Sequence, residues 1–238
     1  MVQRVPQYRP RRVNRYVPAL AYDARVIHTA PYQVEFGAPA IAAAANILGT
    51  TSIAVAGSTT TLLNDGNTDP VVAATQSEFP YGPGFGRCLQ VVADGAATST
   101  VTISGRDYLG QPMTEIFTLN GAVAVIGVKA FKYVDRVAFA ATAARSITVG
   151  TTDKLGLPFC MRNVISEELD GVRVATLGTL VAASFTDPQT ATTTDPRGTY
   201  DPQSTLNGTA RLSATFWPNN RVNAAGNGGL YGLAHYSA

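Results

Sequence analysis

The stretch VVADGAATSTVTISGRDYLGQPMTEIFTLNG, residues 91–121, decides the fold. Val101 and Ile103 alternate with Thr100, Thr102 and Ser104. Successive side chains of a strand point to opposite faces, so the branched apolar pair shares one face and the hydroxyls the other. Asp94-Gly95 comes before this run and Asn120-Gly121 after it. Both dipeptides accept the positive φ of tight turns. Further runs follow in Lys129, Phe131 and Tyr133, in Val137 and Phe139, and in Ile147 and Val149. The spacing predicts consecutive β-hairpins from Leu89 to Phe159. Val101, Ile103, Phe117, Leu119, Phe131 and Ile147 should be buried at the stable centre of the fold. Glu115, in one of these strands, reads most simply as an outward or edge carboxylate.

Outward from this centre, residues 1–37 read as an extended basic arm and 38–238 as the β domain. Ala42-Ala43-Ala44-Ala45 suggests at most a short helix or a small-residue packing strip. Thr51, Ile53 and Val55 alternate with Ser52 and Ala54 as a strand would. Gly82-Pro83-Gly84-Phe85-Gly86 is a loop of special backbone geometry. It is no phosphate cradle, because Pro83 removes an amide and no helix or Lys-Ser/Thr pair follows. Residues 161–185 should hold one or two strands around an Asp170-Gly171 turn, with Glu167-Glu168-Leu169 at most one helical turn. Residues 186–208 read as a long loop, and 209–217 alternate as a late strand. A late strand returning to a sheet begun early makes an antiparallel β-sandwich of Greek-key or jelly-roll type.

The quoted motifs carry a resemblance. Val101-Thr102-Ile103-Ser104-Gly105, Asp107-Tyr108-Leu109-Gly110, Glu115 to Gly121 and Lys129-Ala130-Phe131-Lys132 stand in order. This module, roughly a third of the chain, resembles one found in tailed-bacteriophage virion structural proteins. The resemblance implies a building block of the capsid decoration or cement type. It implies the major capsid protein as partner, a place on the capsid surface after assembly in the bacterial cytoplasm, and a homo-oligomer, trimer ahead of dimer. Neck, tail and fibre proteins share the module and form the first alternative.

Composition agrees. Only 14% of the 238 residues are charged, against about 25% in ordinary soluble proteins. Such a chain covers itself with hydroxyls and small residues, as assembly proteins do; a Thr-rich soluble β protein is the plainer reading. Net charge is +2, but six of the 18 Lys and Arg residues are Arg4, Arg9, Arg11, Arg12, Arg15 and Arg25, opposed there only by Asp23. Pro6, Pro10 and Pro18 prevent a helix, and Tyr8 and Tyr16 lie among the arginines. Arg offers planar bidentate bonding and Tyr offers contact area at low entropic cost. Arg4, Tyr8, Arg9, Arg11, Arg12, Arg15 and Tyr16 are therefore the candidate docking surface on another subunit. A disordered tail and nucleic-acid contact are the weaker readings. No apolar h-region follows the arginines, and no apolar run is long enough to span a membrane.

Three Asp-Pro pairs, at Asp187, Asp195 and Asp201, punctuate the 186–208 loop. Asp before Pro starts turns, and the calcium-loop spacing is missing. Asp187, Asp195, Arg197, Tyr200 and Asp201 are the candidate interface loop. No enzyme, cofactor or metal site is expected. His28 and His235 lack partners at ligand or triad spacing, and no pair of glutamates is marked out for glycoside chemistry. Cys88 and Cys160 are expected to be reduced, buried small hydrophobes. A carbohydrate-binding sandwich is the rival of another class, with Tyr81, Phe85, Tyr200, Trp217 and Tyr231 as its stacking candidates.

Overall fold

The computed structural model describes residues 31–59, 84–108, 110–141, 145–183 and 195–218. Fourteen strands run in chain order through these residues. They are β1 (Tyr32–Gly37), β2 (Ala43–Ser52), β3 (Gly57–Thr59), β4 (Arg87–Ala93), β5 (Thr100–Arg106), β6 (Pro112–Thr118) and β7 (Val125–Phe131). Next come β8 (Tyr133–Phe139), β9 (Ser146–Gly156), β10 (Met161–Leu169), β11 (Val172–Arg173), β12 (Thr179–Val181), β13 (Thr199–Asp201) and β14 (Leu212–Pro218). The described residues contain no helix, and every strand pairing is antiparallel.

Three sheets result. One has the order β1-β14-β10-β11, another β12-β13-β9-β4-β7 with β2 also on β9, and the third β3-β8-β5-β6. The architecture is an all-β, sandwich-like arrangement with a curled half-barrel. The late strand does return to an early one: Tyr32 pairs with Phe216 and Val34 with Ala214. The hairpin of β10 and β11 turns at Asp170 and Gly171, with φ of 51° and 76°. Asp and Gly tolerate that left-handed region better than other residues.

Strand β9 organises the middle of the molecule. Along Ser146–Thr151 it pairs with β2 on one side and β4 on the other, and near Leu155 and Gly156 it pairs with β13. The principal core fills the space between the second and third sheets, with Leu89, Val91, Val101, Ile103, Met113, Phe117, Leu119, Phe131, Val137, Ile147 and Val149 all buried. All six residues expected at the centre are in it. Truncating Ile103 to Ala should cost roughly 2–5 kcal/mol through lost transfer energy and the cavity left behind. A denaturant midpoint equal to that of the unaltered protein would contradict this packing. A second core joins Val34, Phe85, Leu157, Phe159, Met161, Tyr200, Ala214 and Phe216.

Four expectations need correction. The end of the stretch read as the arm is strand β1, with Val34 buried, because Val34 and Phe36 share a face that β14 and its neighbours can cover. Ala43–Ala45 open the strand β2 and form no helix; the small-residue strip packs against β9. There they approach β9 so closely that a Cβ on Gly150 would sit 1.8 Å from the Ala43 carbonyl oxygen. Glu167-Glu168-Leu169 ends β10 and makes no helical turn. The segment read as the 186–208 loop contains β13, whose Tyr200 is fully buried.

Candidate functional site

Most of the buried charged residues form four clasps, and Lys132 Nζ separately donates to the Gly84 carbonyl at 2.9 Å. Arg87 opens β4 in phase with Leu89 and Val91, so its side chain enters the interior with theirs. Its Nε donates to the Thr152 carbonyl at 2.9 Å and its Nη1 to that of Ala40 at 2.8 Å. Its Nη2 donates to Asp153 Oδ1 at 3.3 Å. Burial draws its guanidinium pKa down to about 10, against the pull of Asp153. This clasp ties the approach to β2 onto β9.

The second clasp seals the seam where β6 meets β7. Strand β7 is the edge of its sheet, and an open edge leaves backbone groups unpaired. Here carboxylates take the place of a neighbouring strand. Glu115 Oε1 accepts from Val128 N at 2.6 Å, and Asp195 Oδ2 accepts from Ala130 N at 2.9 Å. Asp195 N donates back to the Val128 carbonyl at 3.2 Å. Across the seam, the buried Lys129 Nζ donates to the Thr114 carbonyl at 2.6 Å. Glu115 lies between Met113 and Phe117 on the inward face of β6, so it is no outward carboxylate. Burial pushes its carboxyl up to about 7, while the Val128 bond and Lys129 offset part of that cost. Burial likewise raises Asp195, opposed chiefly by Arg197.

The third clasp centres on Arg197. Its Nη1 donates to Asp107 Oδ2 at 2.6 Å, and its Nε lies 4.0 Å from Asp195 Oδ1. The guanidinium also stands over the Tyr108 ring at 4.7 Å, a favourable cation–π placement. Asp107 is fixed by the turn it begins. Its Oδ1 accepts from Gln111 N at 2.9 Å, and Gly110 has a φ of 81°. Asp195 Oδ1 accepts from Arg197 N at 2.9 Å, closing the turn around Pro196.

Glu167 forms the fourth. It accepts from the amides of Gly178 at 3.0 Å, Gln203 at 3.1 Å and Ser204 at 2.8 Å, and from the Tyr200 hydroxyl. Burial alone would raise this carboxyl, but the bonds from Ser204, Tyr200 and Gln203 outweigh it and hold the pKa below its ordinary value.

These positions revise the candidate interface loop. Asp195 and Arg197 are each 1% exposed and Tyr200 is 0% exposed, so they hold the fold together and offer a neighbour nothing. Asp201 is half-buried at the end of β13. Asp187 and the arm residues Arg4, Tyr8, Arg9, Arg11, Arg12, Arg15 and Tyr16 lie outside the described residues, as do His28 and His235. The glycan-stacking set loses two members. Phe85 packs edge-on to Tyr108 with ring centroids 5.2 Å apart, and Tyr200 edge-on to Phe216 at 5.1 Å. Tyr81 and Tyr231 lie outside the described residues.

Cys88 and Cys160 are buried free thiols, both raised by burial, Cys160 to about 12. At such values neither supplies a thiolate at neutral pH. No group of three His, Cys, Asp or Glu side chains with metal-holding geometry occurs among the described residues. A cavity of about 160 Å³ between β2, β4 and β9, lined by Thr50, Asp94 and Ser146 among others, is smaller than ligand pockets usually are. Its one carboxylate, Asp94, already accepts from Ser146 N.

No family model, curated protein or solved structure matches this chain. The clasps themselves therefore carry the reading of the site. Each perturbed acid or base is committed to a hydrogen bond or ion pair within the fold. What the arrangement does chemically is resist the separation of strands.

Proposed function

We propose that this protein is a structural component of a tailed-phage virion that decorates and stabilises the capsid by binding coat subunits. It is a building block and not an enzyme. The observation that carries the reading is the division of charge. Residues 31–238 hold 12 Lys/Arg against 15 Asp/Glu, and buried charges among the described residues serve as clasps. Residues 1–30 hold six arginines against one aspartate. A mildly acidic, internally stapled β body with a basic, Tyr-bearing N-terminal stretch suits a block tied down through that stretch. The resemblance of residues 89–159 to virion modules supports the same reading. A bound protein stabilises a shell through its affinity for the assembled form. The partners are the major capsid protein and further copies of this chain, as a trimer or dimer.

Deleting residues 1–20 should leave the thermal unfolding of the protein unchanged and reduce its incorporation into particles several-fold. Quantitative mass spectrometry of purified particles reads both incorporation and copy number. Hundreds of copies place the protein on the shell, whereas about six to a dozen place it at the neck or tail, where rings set the symmetry. Normal incorporation of the truncated chain would overturn docking through the arm.

A further inference from the structure

We propose that the seam between β6 and β7 is a proton-operated latch, with Glu115 as its moving charge. The proposal is independent of the function proposed above. The seam joins the third sheet to the second, and what crosses it includes the Glu115–Val128 and Lys129–Thr114 hydrogen bonds. Glu115 is buried, and its Oε1 is occupied by Val128 N. Its Oε2 is buried with no hydrogen-bond partner. That oxygen faces the backbone of Gly127: a Cβ there would lie 2.7 Å from Oε2 and 3.0 Å from both the Leu89 carbonyl oxygen and the Phe117 ring. No side chain of ordinary size fits between them, so the second oxygen is closely packed by backbone and an aromatic ring.

Such a site tolerates a neutral carboxyl and penalises a carboxylate. A buried charge lacking full hydrogen bonding is costly, and the group responds by holding its proton or by admitting water. The charged and titratable groups facing Glu115 come from three elements. Lys129 on β7 favours the carboxylate, Asp195 opposes it, and Cys88 on β4 is a buried thiol whose own ionisation Glu115 opposes. Burial remains the largest influence and sets the transition at about 7. The folded pKa lies above the ordinary 4.5, so the latch is fully closed below about 4.5 and loosens as pH rises through about 7. Admission of water to Oε2 must part Gly127 from Phe117. The seam is thus the place that opens, while the β4–β9 ladder behind it stays paired.

Amide hydrogen exchange of the full chain between pH 6 and 8.5, corrected for intrinsic rates, tests this. The protection of Val128 N–H should fall about tenfold across the window, with that of the Val91 and Val149 amides unchanged. In Glu115→Gln the carbonyl still accepts from Val128 and no charge appears, so protection should be independent of pH. Unchanged protection of Val128, equal loss across β4 and β9, or the full pH response in Glu115→Gln would each overturn the latch. Should Glu115→Gln fail to fold, carbon-13 titration of the Glu115 carboxyl in the unaltered protein decides. A midpoint near 7 supports the proposal and one below 5 overturns it.

Discussion

Replacing Arg197 with Met is expected to destabilise the protein by about 3–5 kcal/mol, the usual cost of removing one partner from a buried ion pair. The loss follows from what remains. Asp107 Oδ2 loses the guanidinium held at 2.6 Å, Asp195 loses its nearest opposite charge, and both carboxylates stay buried. The Tyr108 ring loses its cation as well. For a chain of this size the thermal midpoint should drop on the order of 10 °C. Pairing the change with Asp107→Asn should recover part of the loss, because one of the stranded charges is gone. A single variant within about 1 kcal/mol of the unaltered protein would show that the guanidinium does not hold the 195–201 segment in place.

Gly150→Ala is expected to have an effect of similar size for a different reason. The added Cβ would sit 1.8 Å from the Ala43 carbonyl oxygen and 2.5 Å from the Ala44 carbonyl carbon. Both are backbone atoms, so relief requires β2 to move off β9. Overpacking in cores usually costs about 1–3 kcal/mol, and displacement of a paired strand adds to it. Gly57→Ala is the control, since its Cβ would meet only the Phe139 ring at an ordinary 3.5 Å. Thermal unfolding of the two variants should separate them clearly. Amides in β2 should lose protection in Gly150→Ala while those in β10 and β14 keep theirs. Equal midpoints for Gly150→Ala and the unaltered chain would mean that β2 is not seated on β9 as described.

Much of the fold was legible in period-two patterning, and the reasons it succeeded also explain where it stopped. Val101 and Ile103, Phe117 and Leu119, and the late strand with Leu212, Ala214 and Phe216 alternate cleanly because each has one covered face. Ala43–Ala45 failed to announce a strand because alanine favours helices and shows no alternation, and its fit to Gly150 is a tertiary fact. The clasps were the least legible. Glu115 stands in phase with Met113 and Phe117, and Arg87 with Leu89 and Val91, so inward phase did mark them. Charge at those positions argues for the surface, and only the partners' positions reverse that argument. The Asp-Pro segment misled for the same reason. Asp195, Arg197 and Tyr200 look like contact residues in sequence, yet Val128, Asp107 and Glu167, all distant in the chain, bring them inside.

The pairing of the first described strand with the last has a kinetic consequence. Gln33 Nε2 donates to Ser213 Oγ across a separation of 180 residues. During synthesis Tyr32–Gly37 leaves the ribosome with its partner still unmade, so Val34 and Phe36 wait uncovered until Leu212–Pro218 emerges. The local hairpin of β5 and β6 needs no such delay. Non-local β pairing of this kind proceeds on the order of milliseconds to seconds, against microseconds for local contacts. An apolar edge strand waiting that long is a site for association with other nascent chains. The order of translation thus makes the sheet that closes last the one most in need of protection in the cell.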